Sequence, residues 1–166
     1  MGAAVVRQLE PLGAEIHVID LKEPPIGVAS FHSVDLKDPD ATAAAVDAIG
    51  GSIQGLFNCA GLPGGRFSDL DTMLVNFVGQ RHLADLVVDR MEPGGAIASI
   101  SSGAGAGWQG NVEKWMPLVT TEGFAAGRAN AETVLDFWQR GGHGSGTGRR
   151  PVSDPEELEA TSGEAV

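Results

Sequence analysis

Ile53-Gln54-Gly55-Leu56-Phe57-Asn58-Cys59-Ala60-Gly61 decides the fold. A short apolar run that ends in Asn-x-Ala-Gly reads as a strand delivering a polar loop. A parallel strand covered by helices on both faces needs no alternation, so Leu56 and Phe57 are both expected inside, with Asn58 starting the turn. In open α/β sheets that carboxyl end is where ligands bind.

Working upstream, Asp38-Pro39 is an N-cap followed by proline at the first helical position, and the alanine-rich segment Asp40–Ile49 is the helix it starts. Gly50-Gly51 closes that helix. A strand from about Ala29 to Asp35 precedes it and ends on an acid. Pro24 and Pro25 force a loop before that strand. Glu15–Asp20 is a further strand, rich in β-branched Ile16, Val18 and Ile19 and again ending on an acid. His17 alternates with Ile16 and Val18 there and is read as structural. The chain opens in a helix with Val5, Val6, Leu9 and Leu12 on one face and Gly13 as its left-handed C-cap, and nothing caps its start.

Downstream, Leu62-Pro63-Gly64-Gly65 is a loop and Asp69 is expected to cap a long helix. Its buried stripe runs through Leu70, Leu74, Val75, Val78, Leu86 and Val87, and Pro93-Gly94-Gly95 is expected to stop it. Ala96–Ile100 is short and bounded by glycines, hence a strand, and it empties into Ser101-Ser102-Gly103-Ala104-Gly105. A helical segment around Gly123–Arg140 follows, with Phe124, Ala131, Val134, Leu135 and Trp138 on its apolar side. From Gly141 the chain is glycine-rich and then acidic with small residues, a composition that cannot bury enough apolar surface to order itself. One domain over 1–140 and a disordered tail over 141–166 are therefore expected.

Composition narrows the function classes. The 166 residues carry 22 acidic and 11 basic side chains, a net charge of -11. That balance disfavours nucleic acid or an anionic membrane surface as partner, since both require clustered positive charge. The single cysteine, Cys59, excludes an internal disulfide and is read as a small buried hydrophobe. No secretory signal pattern is present, and no apolar run approaches the roughly 20 residues of a membrane span. A cytoplasmic protein is expected. His17, His32, His82 and His143 lack metal-ligand spacing, so no metal is expected. There is no tyrosine, and the last lysine is Lys114.

The order helix, strand, strand, helix, strand, helix, strand, helix argues for an α/β fold, a doubly wound parallel sheet. The set Gly2, Asp20 with Leu21, Asp35-Leu36, Asn58-x-Ala60-Gly61, Val75-Asn76 and Ile100-Ser101-Ser102 resembles the short-chain dehydrogenase/reductase family from residue 1 to about 105. The loop Ala60–Gly64 and the stretch around Trp108 are most similar to the branch with 3α-hydroxysteroid dehydrogenase/carbonyl reductases and aryl-alcohol dehydrogenases. The resemblance implies a Rossmann-like domain whose first strand and most of whose glycine-rich turn have no counterpart here, Gly2 matching the turn's last glycine. The missing strand would lie between the one ending at Asp20 and the one ending at Asn58.

What the resemblance implies about the site can be carried over residue by residue. Gly2 would let backbone approach a pyrophosphate at a helix N-terminus. Asp20, 18 positions beyond Gly2, falls close to the spacing of about 20 expected for the acid that binds the adenosine ribose, with Leu21 beside it. Its carboxylate would repel a 2′-phosphate, so NAD is expected over NADP. Asp35 and Leu36 correspond to residues near the adenine, and Asn58, Ala60 and Gly61 to the lining of the cofactor cleft. Ser102 corresponds to the serine that hydrogen-bonds the substrate oxygen and Asn76 to the asparagine of the proton relay. The family's Tyr-x-x-x-Lys pair has no counterpart, and Trp115 stands roughly where the tyrosine would fall.

Two functions follow. The first is an NAD-dependent oxidoreductase interconverting a secondary alcohol and a ketone or aldehyde of steroid or aromatic class, inactive in this chain for want of the Tyr/Lys pair. It would take a small-molecule substrate, and by resemblance it could form homo-oligomers. The second is a non-catalytic dinucleotide-binding or interaction module. A more remote third is another doubly wound fold, such as an extended epimerase/dehydratase relative.

Overall fold

The computed structural model describes residues 1–139, so the expected tail at 141–166 and the helix's last residue, Arg140, lie outside the described residues. Helix α1 spans Gly2–Leu9 and runs into a 3-10 turn at Glu10–Leu12. Gly13 ends it at φ 77, where a side chain would be strained. Only Val6 of the expected stripe is buried, and Leu12 is 79% exposed, because the 3-10 turn rotates it off the α-helical face.

Strand β1, His17–Asp20, lies parallel to β2, Ser30–Ser33, with His17 opposite Ser30 and Asp20 opposite Ser33. His17 Nδ1 and Ser30 Oγ are hydrogen-bonded at 2.8 Å, so the histidine ties the two strands together. Helix α2, Pro39–Ile49, starts as the sequence indicates, with the Asp38 carboxylate accepting the Ala41 N–H at 2.9 Å. It buries Thr42, Ala45 and Val46.

Strand β3, Ile53–Asn58, lies parallel to β4, Met91–Ser99. Between them a continuous helical stretch divides into α3 (Asp69–Met73), a π-helical segment (Leu74–Gly79) and α4 (Gln80–Val88). Its cap is Ser68, not Asp69: the Ser68 Oγ accepts the Asp71 N–H at 3.0 Å. Nor does Pro93-Gly94-Gly95 end the helix, which stops at Val88, with β4 already under way at Met91. Those residues form a bulge instead, since β4 runs from Met91 to Ala96 while β3 runs only from Ile53 to Gly55. The bulge needs its glycines: Gly94 has φ 97, and a Cβ on Gly95 would lie 3.1 Å from the Glu92 carbonyl oxygen.

Helix α5, Val112–Val119, was not legible in the sequence, and α6, Phe124–Gln139, follows it as expected. Leu74 and Val78 of the π segment pack with Leu118 of α5 and with Phe124 and Ala131 of α6, and Trp115 covers the cluster. A second cluster joins Leu36, Val46, Leu83 and Val87. Fully burying such a side chain stabilises the fold by about 1.5–3 kcal/mol.

The described strands form two separate two-stranded parallel sheets, not one. Ile19 of β1 and Leu56 of β3 nevertheless pack against the same cluster around Val46, so one core holds both sheets. Among the described residues no backbone hydrogen bond joins β1 to β3, and each offers its second edge unpaired. The expectation that Phe57 is buried is corrected: it is 46% exposed, and β3 packs on the cluster around Val46 through Ile53 and Leu56 instead. No helix among the described residues is long and apolar enough to cross a membrane.

Candidate functional site

Both short strands of the first sheet end in the same way. The Asp20 carboxylate accepts the Lys22 N–H at 3.1 Å and the Asp35 carboxylate accepts the Lys37 N–H at 3.0 Å. Each is an Asx turn, which swings the chain across the strand end and keeps a carboxylate there. Strand β3 ends at Asn58, which is 6% exposed. Its Nδ2 donates to Ser99 Oγ at 3.2 Å, cross-linking β3 to β4, while its Oδ1 has no partner.

Helix α1 points its start at the same place. Met1 makes no side-chain cap, and the first backbone bond of the helix runs from Ala4 N–H to the Met1 carbonyl at 2.8 Å. The N–H groups of Gly2 and Ala3 therefore have no intrahelical acceptor. A Cβ on Gly2 would stand 3.6 Å from the Cys59 Cβ, so the helix start lies against the end of β3.

These ends enclose a cavity of about 410 Å³. Seven of the eight residues carried over as cofactor-binding line it: Gly2, Asp20, Leu21, Asp35, Leu36, Ala60 and Gly61. Asn58 does not line it. Cys59 does, and it is half-buried rather than buried.

The cavity's rim is held from the helical stretch. Asn76 Oδ1 accepts the Leu62 N–H at 2.7 Å and its Nδ2 donates to the Leu62 carbonyl at 2.9 Å, while Gln80 Nε2 donates to the Ala60 carbonyl. Both ends of the Asn76 amide are thus used on the loop backbone, which accounts for an asparagine inside a helix. The π-helical widening at Leu74–Gly79 is the local distortion that accompanies this, a feature found frequently at functional sites.

Lys37 and Phe67 were missed by sequence reasoning and line the cavity too. Lys37 Nζ donates to Asp71 Oδ1 at 2.8 Å and lies 3.6 Å from Asp35 Oδ2. The hydrogen bond to Asp71 holds the Lys37 ammonium above its ordinary pKa, and the bonds from Lys37 and then Ser68 hold Asp71 below its own. A lysine two positions after a strand-end acid was the available signal.

Ser102 is apart from this group. It is exposed, its Oγ accepts the Ala104 N–H at 3.2 Å, and it caps the 3-10 turn Gly103–Gly105. It does not line the 410 Å³ cavity. Trp115 lies on α5 and packs on the core. No cluster of three or more metal-ligating side chains occurs among the described residues.

The donor set suits a dinucleotide. Two free backbone N–H groups at a helix start suit a phosphate, and carboxylates at two strand ends suit ribose hydroxyls. The fold is that of a Rossmann-like α/β protein.

Residues 1–152 match the family model described as the NAD dependent epimerase/dehydratase family, and the chain belongs to that family. It is 33% identical over 129 residues to a coniferyl-alcohol dehydrogenase of Pseudomonas sp. (strain HR199 / DSM 7063), a match covering 78% of this chain and 50% of that one. The chain thus spans about half the length of this curated relative. Its fold is similar to that of the ligand-free aldohexose dehydrogenase of Thermoplasma acidophilum, at a TM-score of 0.54 and 20% identity over 82% of this chain and 53% of the other. BdcA, solved in complex with NADPH, gives a TM-score of 0.52 at 23% identity over 84% and 62%. The family is NAD-dependent, as the sequence resemblance implied.

Proposed function

We propose that this chain carries the adenosine side of the cofactor site of a cytoplasmic NAD-dependent short-chain dehydrogenase/reductase. The whole protein would interconvert a small secondary alcohol and its ketone or aldehyde, of the steroid or aromatic class. The observation that carries the reading is the meeting of Gly2, Asp20, Asp35 and Gly61 around one cavity at the carboxyl ends of three strands. Similarity to a coniferyl-alcohol dehydrogenase supports the alcohol/carbonyl chemistry.

In this reading a bound nicotinamide supplies hydride chemistry. The first-turn N–H groups of α1 hold the phosphates, and Asp20 accepts from the adenosine ribose and repels a 2′-phosphate, which favours NAD. Ser102 donates a hydrogen bond to the substrate oxygen. A serine hydroxyl is too weak an acid to deliver the proton efficiently near neutral pH, and no tyrosine is present to do so. Turnover by this chain is therefore at background.

A second reading, a dinucleotide-binding or interaction module without chemistry, is favoured by the double engagement of Asn76 with the Leu62 backbone, which gives that amide a loop-positioning job that needs no catalysis. Calorimetric titration with NADH and NADPH tests the cofactor claim. Weak binding with NADH favoured, weakened further by Asp20→Asn, is the expected result. Equal affinity for both, unchanged by Asp20→Asn, would remove the role given to Asp20.

A further inference from the structure

A second cavity, of about 330 Å³, opens beyond the carboxyl end of β4. It begins two residues after Ser102, at Ala104, whose N–H the Ser102 hydroxyl accepts. Its walls are unlike those of the first. Trp108, Asn111, Lys114 and Trp115 line it, and the rest of the lining is glycine and alanine.

The local backbone makes this enclosure. Gly107 at φ 82 turns the chain between two 3-10 segments, so that Trp108 and the start of α5 come back over residues 104–106. Trp115 is fixed, since it also packs on the Leu74, Val78 and Leu118 cluster. Trp108 is 60% exposed, a large ring left largely in water at the edge of a concave surface. The Lys114 ammonium lies 5.8 Å from the centroid of the Trp115 ring, which places a cation on the same wall.

We propose that this cavity receives an aromatic ring bearing an anionic substituent, the ring against the two tryptophans and the substituent toward Lys114 and Asn111. As a substrate subsite next to Ser102 it rests on the oxidoreductase reading above; as a binding site it does not. Flat aromatic walls match a planar ring better than a saturated, puckered one, and the volume is at the small end of the range of about 300–1,000 Å³ typical of ligand pockets. Of the two substrate classes, aromatic is therefore chosen over steroid.

The test is a titration of tryptophan emission, without nucleotide, using 4-hydroxycinnamate, benzyl alcohol and cyclohexanecarboxylate as probes. Saturable quenching by 4-hydroxycinnamate is expected, weakened roughly tenfold or more by Trp108→Leu. Lys114→Gln should weaken 4-hydroxycinnamate and leave benzyl alcohol unchanged, a split that a general loss of structure would not produce. Far-UV circular dichroism accompanies each variant, and if Trp108→Leu does not fold, the Lys114→Gln split decides. Absence of saturable quenching, indifference to both substitutions, or equal affinity for cyclohexanecarboxylate would overturn the proposal. Because no nucleotide is present, failure here leaves the cofactor titration standing, and failure of that titration leaves this site standing.

Discussion

Asn76 grips Leu62 by both ends of its amide, accepting the backbone N–H at 2.7 Å and donating to the carbonyl at 2.9 Å. The pair joins the π-helical segment to the loop that forms the cavity rim. Asn76→Ala removes both bonds, each worth about 0.5–1.5 kcal/mol net and nearer the lower figure at this exposed position. Amide hydrogen exchange at Leu62 should quicken roughly tenfold, while that of β3 stays unchanged. Unaltered exchange at Leu62 would show that Gln80 alone holds the loop.

Gly79 lets the helical stretch approach the β2–α2 connection. A Cβ there would meet the Leu36 carbonyl oxygen at 2.4 Å and the Leu36 Cβ at 2.9 Å, and backbone cannot yield cheaply. Gly79→Ala is expected to destabilise the fold by about 1–3 kcal/mol, seen as a lower urea midpoint. Gly64, where a Cβ would meet nothing within 4 Å, is the control, and Gly64→Ala should be near neutral. Equal midpoints for the two variants would contradict the packing account.

The Lys37–Asp71 pair makes a pH prediction. Asp71 is held below its ordinary value, so its contribution is complete above the unfolded carboxylate pKa of about 3.9 and is lost as pH falls through the depressed folded value. Lys37 is raised, so its contribution is complete below about 10.4 and is lost as pH rises through the elevated folded value. Between those limits it is flat. The stability difference between the protein and Lys37→Met should be constant from pH 6 to 8 and shrink in acid below about pH 4. A difference that grew on acidification would exclude this pairing.

Exposed apolar surface on the second sheet sets solution behaviour. Phe57 is 46%, Ile97 42% and Ile100 47% exposed, and the second edges of β1 and β3 are unpaired. Such edges and faces template association. The chain should bind a dye that fluoresces on apolar surfaces under native conditions and unfold over a broad range. No dye binding together with a sharp, cooperative melt would count against it.

Turnover should be at background with NADH and either a steroid ketone or an aryl aldehyde, since general acid–base catalysis contributes about 10²–10⁴-fold and the usual acid is absent. Ser102→Ala should change nothing measurable. Robust oxidation of NADH that Ser102→Ala abolishes would mean that another acid has been recruited.

Local chemistry was the part written in the sequence. Asp38-Pro39 starts a helix anywhere, because a cap and a fixed φ act within one turn, and α2 begins where they stand. The Ile53–Asn58 strand and the acids at Asp20 and Asp35 were legible for the same reason, as were seven residues of the cavity, whose spacing along the chain reflects strand ends that the fold brings side by side.

Tertiary structure decided the rest. Phe57 is apolar and lies in a strand, yet its exposure depends on whether a helix from elsewhere covers it, which no local pattern encodes. Pro93-Gly94-Gly95 has the chemistry of a helix stop; only pairing with β3 makes it a bulge. Lys37 joins the site because Asp71, 34 positions away, comes within 2.8 Å of it. The sequence by itself determined which segments turn, cap and extend, since those preferences act over a few residues. Which segments meet was settled by burial and long-range hydrogen bonding, whose partners lie far apart along the chain.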